Sequence, residues 1–335
     1  SSRVEQVFSG ADVDWSKIYT AKEDSKALGI RYQLAYVALA HFIALKANPS
    51  LADTLRPQLD AIYRGLIDKR SWKYWHAEQK TPTWPLLRGN LTYAGRLTSF
   101  IGFYIDAFGE PPAEQIIVDD RTISYKELSQ NLWDQAAKSP NCGVSCFNNV
   151  SMVQCNAHLL INNLLHDRLF NTKLSTTNAN WLSTLENNLL SNADSGSVFY
   201  FATLPNLSDA NTDRRAIGTD IWILFLMSGI VPDRVTTWFE SWQRNIIFKG
   251  DLAYISVGDN EITAGSSSDE HATAWAYCLA KELGQADLAE KLRCFLAPKA
   301  KSGFEADLFT SGLFLLGESL KKGAFYKLIH GSDVQ

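Results

Sequence analysis

The sequence predicts an all-α protein, and three observations carry the prediction. Apolar residues recur at helical spacing through most of the chain, these runs come in pairs divided by short Gly, Pro or Asn breaks, and little of the chain alternates as a strand would. Six helical hairpins in 335 residues most naturally close into a double-layered (α/α)6 barrel, a single domain over 1–335 with inner helices around a cavity. No fixed repeat period is visible, which disfavours an open solenoid.

The elements follow in order. Arg31–Lys46 places Tyr32, Ala35, Tyr36, Leu39, Ala40 and Ile43 on one face, and Leu51–Leu66 answers it after the break Asn48-Pro49-Ser50. Leu91–Phe108 ends at Gly109-Glu110-Pro111-Pro112. A short hairpin over Ile116–Ser124, turning at Asp119-Asp120, leads into Tyr125–Ala137. Ser151–Leu169 pairs with Asn178–Leu190, Thr212–Ser228 with Asp233–Phe248, and Asp269–Leu283 with Gln285–Leu296, leaving Leu308–Lys322 as the last helix. Inner helices must crowd together around a ligand. The runs rich in aromatic and small residues, Arg31–Lys46, Leu91–Phe108, Ser151–Leu169, Gly218–Gly229 and Ala272–Ala280, fit that place.

Composition narrows the function. Ten Trp, twelve Tyr and seventeen Phe supply a large core and material for an aromatic-lined pocket. A net charge of -4, from 32 basic and 36 acidic residues, leaves no footprint for nucleic acid or an anionic membrane, so a small-molecule partner is expected. The most apolar run, Ile221–Val231, is too short for a membrane span. Ser1-Ser2-Arg3 shows no signal-peptide pattern, and a soluble, cytoplasmic protein is the favoured reading of an open question.

Three of the five cysteines lie between 142 and 155. Cys146 precedes a helix whose N-cap candidates are Asn148, Asn149 and Ser151, and Cys155 falls in its first turns. A returning loop would bring the two thiols together, and a helix N-terminus favours the thiolate. Buried cysteines are also ordinary core residues, and Cys278 and Cys294 read that way.

The succession Ile30-Arg31-Tyr32-Gln33-Leu34-Ala35-Tyr36, Trp72-Lys73-Tyr74-Trp75, Asn90-Leu91-Thr92-Tyr93-Ala94-Gly95-Arg96-Leu97, then Cys146 with Gln154-Cys155-Asn156, resembles the linalool dehydratase/isomerase family. The resemblance spans roughly 28–160, with weaker support from Asp213-Arg214 and the Trp222 helix. It implies an α6/α6 barrel with a buried apolar pocket, cofactor-independent and metal-independent proton chemistry on terpene alcohols, and in some members ring-shaped homo-oligomers. The family's two pocket cysteines map onto Cys146 and Cys155 and its glutamine onto Gln154. Removing a hydroxyl from an apolar molecule needs an acid for the leaving oxygen and a base for a carbon-bound proton, both in a dry cavity.

In this reading Cys146, Cys155, Arg96, Tyr93 and Asp24 are the catalytic candidates. Tyr32, Gln154, Thr92, Met152, Trp222, Trp75 and His76 are the substrate-binding ones. Two departures stand out: Arg96 replaces the family's histidine and cannot act as a base, and Phe147-Asn148 follows the first cysteine where Glu-Pro is expected. An arginine suits a substrate with a carboxylate, enolate or carbonyl, as in a terpenoid or polyketide of secondary metabolism, for which dehydration, isomerisation and cyclisation are all open.

Other readings stand beside this one. Helical barrels also carry glycan hydrolases and lyases, whose paired carboxylates would come from Asp119, Asp120, Asp213, Asp269 or Glu270. A non-catalytic scaffold is another, and Cys142, Cys146, Cys155 and His158 have zinc-ligand types at irregular spacing. Arg31 and Arg96 could pair with Asp106 or Asp220; His41 and His166 read as core or surface groups, and His271 as a loop residue.

Overall fold

The computed structural model describes residues 26–68, 71, 90–118, 121–146, 150–190, 202–203, 216–258, 268–301 and 308–331. The candidates Asp24, Trp75 and His76, like Asp119, Asp120 and Asp213, lie outside the described residues. The chain is all-α. In order the helices are α1 (Lys26–Ala47), α2 (Ala52–Ile67), α3 (Leu91–Phe108), α4 (Tyr125–Lys138), α5 (Val153–Phe170), α6 (Asn178–Thr184), α7 (Ile217–Ser228), α8 (Pro232–Trp242), α9 (Asp269–Leu283), α10 (Ala286–Lys301), α11 (Leu308–Ser319) and α12 (Ala324–His330).

The strands form three antiparallel pairs: β1 (Ile116–Val118) with β2 (Arg121–Ile123), β3 (Val150–Ser151) with β4 (Ala202–Thr203), and β5 (Ile246–Lys249) with β6 (Leu252–Ile255). Contacts divide the chain into two compact units, residues 1–71 with 215–335, and residues 72–214.

Burial sorts the helices within each unit. In the first, α1 lies against α11, α11 against α9 and α9 against α7, while α2, α8 and α10 pack behind α1, α7 and α9. Every residue of α7 is buried, whereas α8 buries only Val235, Phe239 and Trp242, at helical spacing. In the second unit α3 lies against α5, and α4 packs on both. Residues 91 to 104 of α3 are all buried. The five runs expected to be inner helices are each buried on most faces, and so is α11, where Leu308–Leu313, Leu316 and Gly317 are buried.

Local signals explain the boundaries. Ser124 and Glu127 form a capping box that starts α4, and Ser268 accepts from the His271 N–H to start α9. Gly109 and Gly284, at φ of 77° and 74°, close α3 and α9 in the left-handed region that glycine enters without strain. Gly317 has a different reason to be glycine. A Cβ there would meet the Tyr277 ring at 2.4 Å, so its absence sets how closely α11 approaches α9.

Three expectations are corrected. The helix expected over Asp233–Phe248 ends at Trp242, and Ile246–Lys249 is strand β5, because Gly250 at φ 61° turns the chain into β6 and the residues before it are β-branched and aromatic. The helix expected to reach Leu190 ends at Thr184 and widens to a π-turn over Leu185–Leu189. Leu308–Lys322 stops at Ser319, and Gly323, at φ 69°, opens the additional helix α12.

Helix α12 is docked through Glu282. This buried carboxylate accepts from the Phe325 and Tyr326 N–H groups at 2.9 and 3.0 Å. Burial outweighs those bonds and pushes the carboxyl up to about 7. A folded-state pKa above the unfolded one contributes stability at acid pH that is lost as pH rises through about 7. We expect stability to fall by about 3 kcal/mol between roughly pH 4.5 and 8. Glu282→Gln should flatten that decline in urea titrations at stepped pH.

Candidate active site

Thr92, Arg96, Cys146, Met152, Cys155 and Asn156 all belong to the second unit. Helices α3 and α5 run parallel and in register: Thr92 faces Cys155, Gly95 faces His158 and Gly102 faces Leu165, each pair 63 residues apart. Thr92 Oγ1 and Cys155 Sγ share a hydrogen bond of 3.2 Å. Gly95 permits the approach, since a Cβ there would lie 3.0 Å from that of His158.

The segment carrying Cys146 is clamped between the starts of these helices. The Leu91 N–H donates to the Ser145 carbonyl, 3.1 Å away. From the other side Asn156 accepts from the Val144 N–H at 2.9 Å and donates to Val144 O, Ser151 Oγ and Met152 O at 3.2, 3.0 and 3.1 Å. Cys146 Sγ in turn accepts from the Met152 N–H at 3.2 Å. The expected side-chain caps are corrected here: Ser151 belongs to β3, Asn148 and Asn149 lie outside the described residues, and Met152 is the N-cap, with no side-chain cap bond. Sequence reasoning missed Asn156, whose one signal was an amide within an apolar helix.

Cys146 and Cys155 are both buried and hydrogen-bonded to each other. At Cys146 the pull of a helix N-terminus toward thiolate is outweighed. Burial first, then the bond to Cys155 and its charge, push the Cys146 thiol well above its ordinary range, although the Met152 N–H and the nearby Arg96 guanidinium pull the other way. The helix terminus helps but loses to desolvation. Cys146 rests as a thiol.

Arg96 is buried, 1% exposed, and its Nη1 donates to the Thr92 carbonyl on its own helix. The carboxylate considered for it, Asp106, instead pairs with Arg168 at 2.5 Å. Tyr93 is buried on the same turn of α3. Gln154 is buried; its Nε2 donates to Met152 Sδ at 3.3 Å, while its Oε1 has no hydrogen-bond partner among the described residues. His158 is buried against α3, and burial followed by the charge of Arg96 holds its imidazole neutral, far below the usual histidine range. Among the described residues no three His, Cys, Asp or Glu side chains assemble as a metal-ligand group, which removes the irregular zinc set.

Tyr32 and Trp222 belong to the first unit. There Tyr32 meets Trp222 edge-on at 5.3 Å, Trp222 stacks on Trp275 at 5.5 Å, and Trp222 Nε1 donates to the Tyr36 hydroxyl at 2.7 Å. His271 sits in the first turn of α9 against Phe309, not in a loop. Of the carboxylates considered for glycan chemistry, Asp269 accepts from the Val257 N–H and Glu270 pairs with Lys299, so both have structural partners. Cys278 is core, as expected; Cys294 is partly exposed on α10 beside Glu290.

These features define a class: a helical protein with a buried site of two thiols, a guanidinium and a neutral imidazole. The family model described as linalool dehydratase/isomerase matches residues 31–307. The chain belongs to the linalool dehydratase/isomerase family, which at family level places it with enzymes of the dehydratase/isomerase kind. No described helix is long and apolar enough to cross a membrane.

Because the Asn156 side chain bonds to the Val144 N–H and shares its two N–H groups among Val144 O, Ser151 Oγ and Met152 O, Asn156→Ala should strand polar groups in the interior. We expect a loss of about 2–4 kcal/mol in urea denaturation. Alkylation of Cys146 in the folded protein should also become faster, measured by peptide mapping.

Proposed function

We propose that this chain is a cofactor-independent lyase or isomerase that performs acid–base chemistry on an apolar, terpenoid-like or polyketide-like molecule. The observation that carries the reading is the buried, hydrogen-bonded thiol pair Cys146 and Cys155 beside Arg96. A thiol kept protonated by burial is a competent proton donor to a leaving hydroxyl in a dry site. The guanidinium lowers the cost of the thiolate left behind, and a planar cation of this kind suits a carbonyl, carboxylate or enolate oxygen of the substrate. Thr92, Tyr93, Met152 and Gln154 lie on the same turns and would orient that substrate. With a suitably folded substrate the same proton delivery would start a cyclisation. Tyr32 and Trp222, and the candidates Asp24, Trp75 and His76, stay in this proposal as contacts implied by the resemblance.

The test is conversion in D2O of a panel of terpenoid alcohols and unsaturated terpenoid acids, with carbon-bound deuterium read by mass spectrometry. The wild type should convert at least one of these compounds, with carbon-bound deuterium appearing where the reaction protonates carbon and none for a simple dehydration, and Cys146→Ser or Cys155→Ser should lower the rate by about 100-fold or more, within the range typical of general acid–base catalysis. A converted compound should also slow alkylation of the thiols. Absence of both conversion and ligand protection would count decisively against the proposal.

A further inference from the structure

Proton chemistry requires an acceptor as well as a donor. In the buried cluster Arg96 is a permanent cation, the Cys146 thiol holds its proton, and the Thr92 hydroxyl and the Gln154 and Asn156 amides are too weakly basic to take one. His158 is different in kind, because a neutral imidazole carries a basic lone pair.

Its position is set by the packing. In the register that puts Thr92 on Cys155, the next contact along α3 and α5 is Gly95 on His158, so the imidazole lies in the layer adjoining the thiol layer. Cys155 and His158 are three apart on α5, which makes them neighbours on one helix face. Ser99 Oγ donates to the His158 carbonyl at 3.4 Å and to the Gly95 carbonyl at 2.8 Å, tying the two helices at this level. Arg96 acts on both Cys146 and His158, placing all three in one electrostatic neighbourhood.

We propose that His158 is the resident general base of the thiol cluster, receiving the proton that a thiol or the substrate carbon gives up. Its catalytic use rests on the function proposed above. For a dehydration the step balances. The C–O electron pair leaves with oxygen, which takes the Cys146 proton and departs as water; the neighbouring C–H bond breaks, its pair becomes the double bond, and its proton passes to the imidazole. Imidazolium then returns the proton to the Cys146 thiolate. The field of Arg96 drives that return, since it favours thiolate and disfavours imidazolium.

The test is the pH profile of iodoacetamide alkylation at Cys146 and Cys155 in the intact folded chain, wild type against His158→Gln. A resident base should give the wild type a rate plateau on the acid side of neutrality that drops only as the imidazole protonates, and His158→Gln should lose the plateau, with a rate about 10-fold or more lower near pH 6.5 but converging with wild type where thiols ionise unaided. Superimposable profiles in a folded variant overturn the proposal. So does a wild-type profile that falls about tenfold per pH unit without a plateau, a result that needs no variant to fold. Complete inertness of both thiols in the folded wild type overturns it as well. A plateau that depends on His158, alongside no conversion in the D2O experiment, keeps the base and removes the assigned reaction.

Discussion

The close parallel packing of α3 on α5 is the constraint on which the candidate site depends. Two helices approach this closely only where side chains are missing, and Gly95 and Gly102 provide those places on α3. Once the helices touch, geometry follows without further instruction. Thr92 reaches Cys155, His158 seats beside Arg96, and the two helix starts lie near enough for one short segment, held by Ser145 and Asn156, to carry Cys146 between them. A bulkier residue at Gly95 would push against the His158 side chain and separate all of these contacts together.

Burial governs the chemistry in the same way that it governs the fold. The first turns of α5 offer a local field that favours a thiolate, yet Cys146 is held as a thiol, because removing it from water costs the charged form more than one N–H and a nearby cation return. The same desolvation keeps His158 uncharged, with Arg96 adding to it. The thiol cluster therefore has one buried cation near a neutral thiol and a neutral imidazole.

Much of the fold was legible in the sequence where stop and start residues are strong. Leu91–Phe108 and Asp269–Leu283 have the expected bounds because Gly109 and Gly284 end them in a conformation that other residues avoid. Expectations failed where a local signal was carried by backbone geometry: the Gly250 turn converted an expected helical tail into a hairpin, and Gly323 opened α12. For the site, the nine-residue cysteine spacing and the Thr92–Arg96 segment were visible as residue types on successive helices. The clamp by Asn156 and the seat of His158 were not, since both depend on which helix faces meet, and periodicity says only that those faces are buried.

The polar residues along α5 answer a further question, why its register against its neighbours should be so definite. An apolar helix can slide by a turn at modest cost, because one Leu contact replaces another. Here Asn162 accepts from Ser129 of α4, Asn163 donates to Thr177 just before α6 and to Asn178 at its start, and Asn178 donates to the Leu160 carbonyl. All five side chains are buried. A one-turn slip would strand several of them in the interior, at about 1–3 kcal/mol for each unsatisfied group. Such a penalty is comparable to the whole stability of many domains. The amides midway along α5 thus hold Cys155 and His158 in its first turns in place, and polar groups remote from the thiol cluster become part of what positions it.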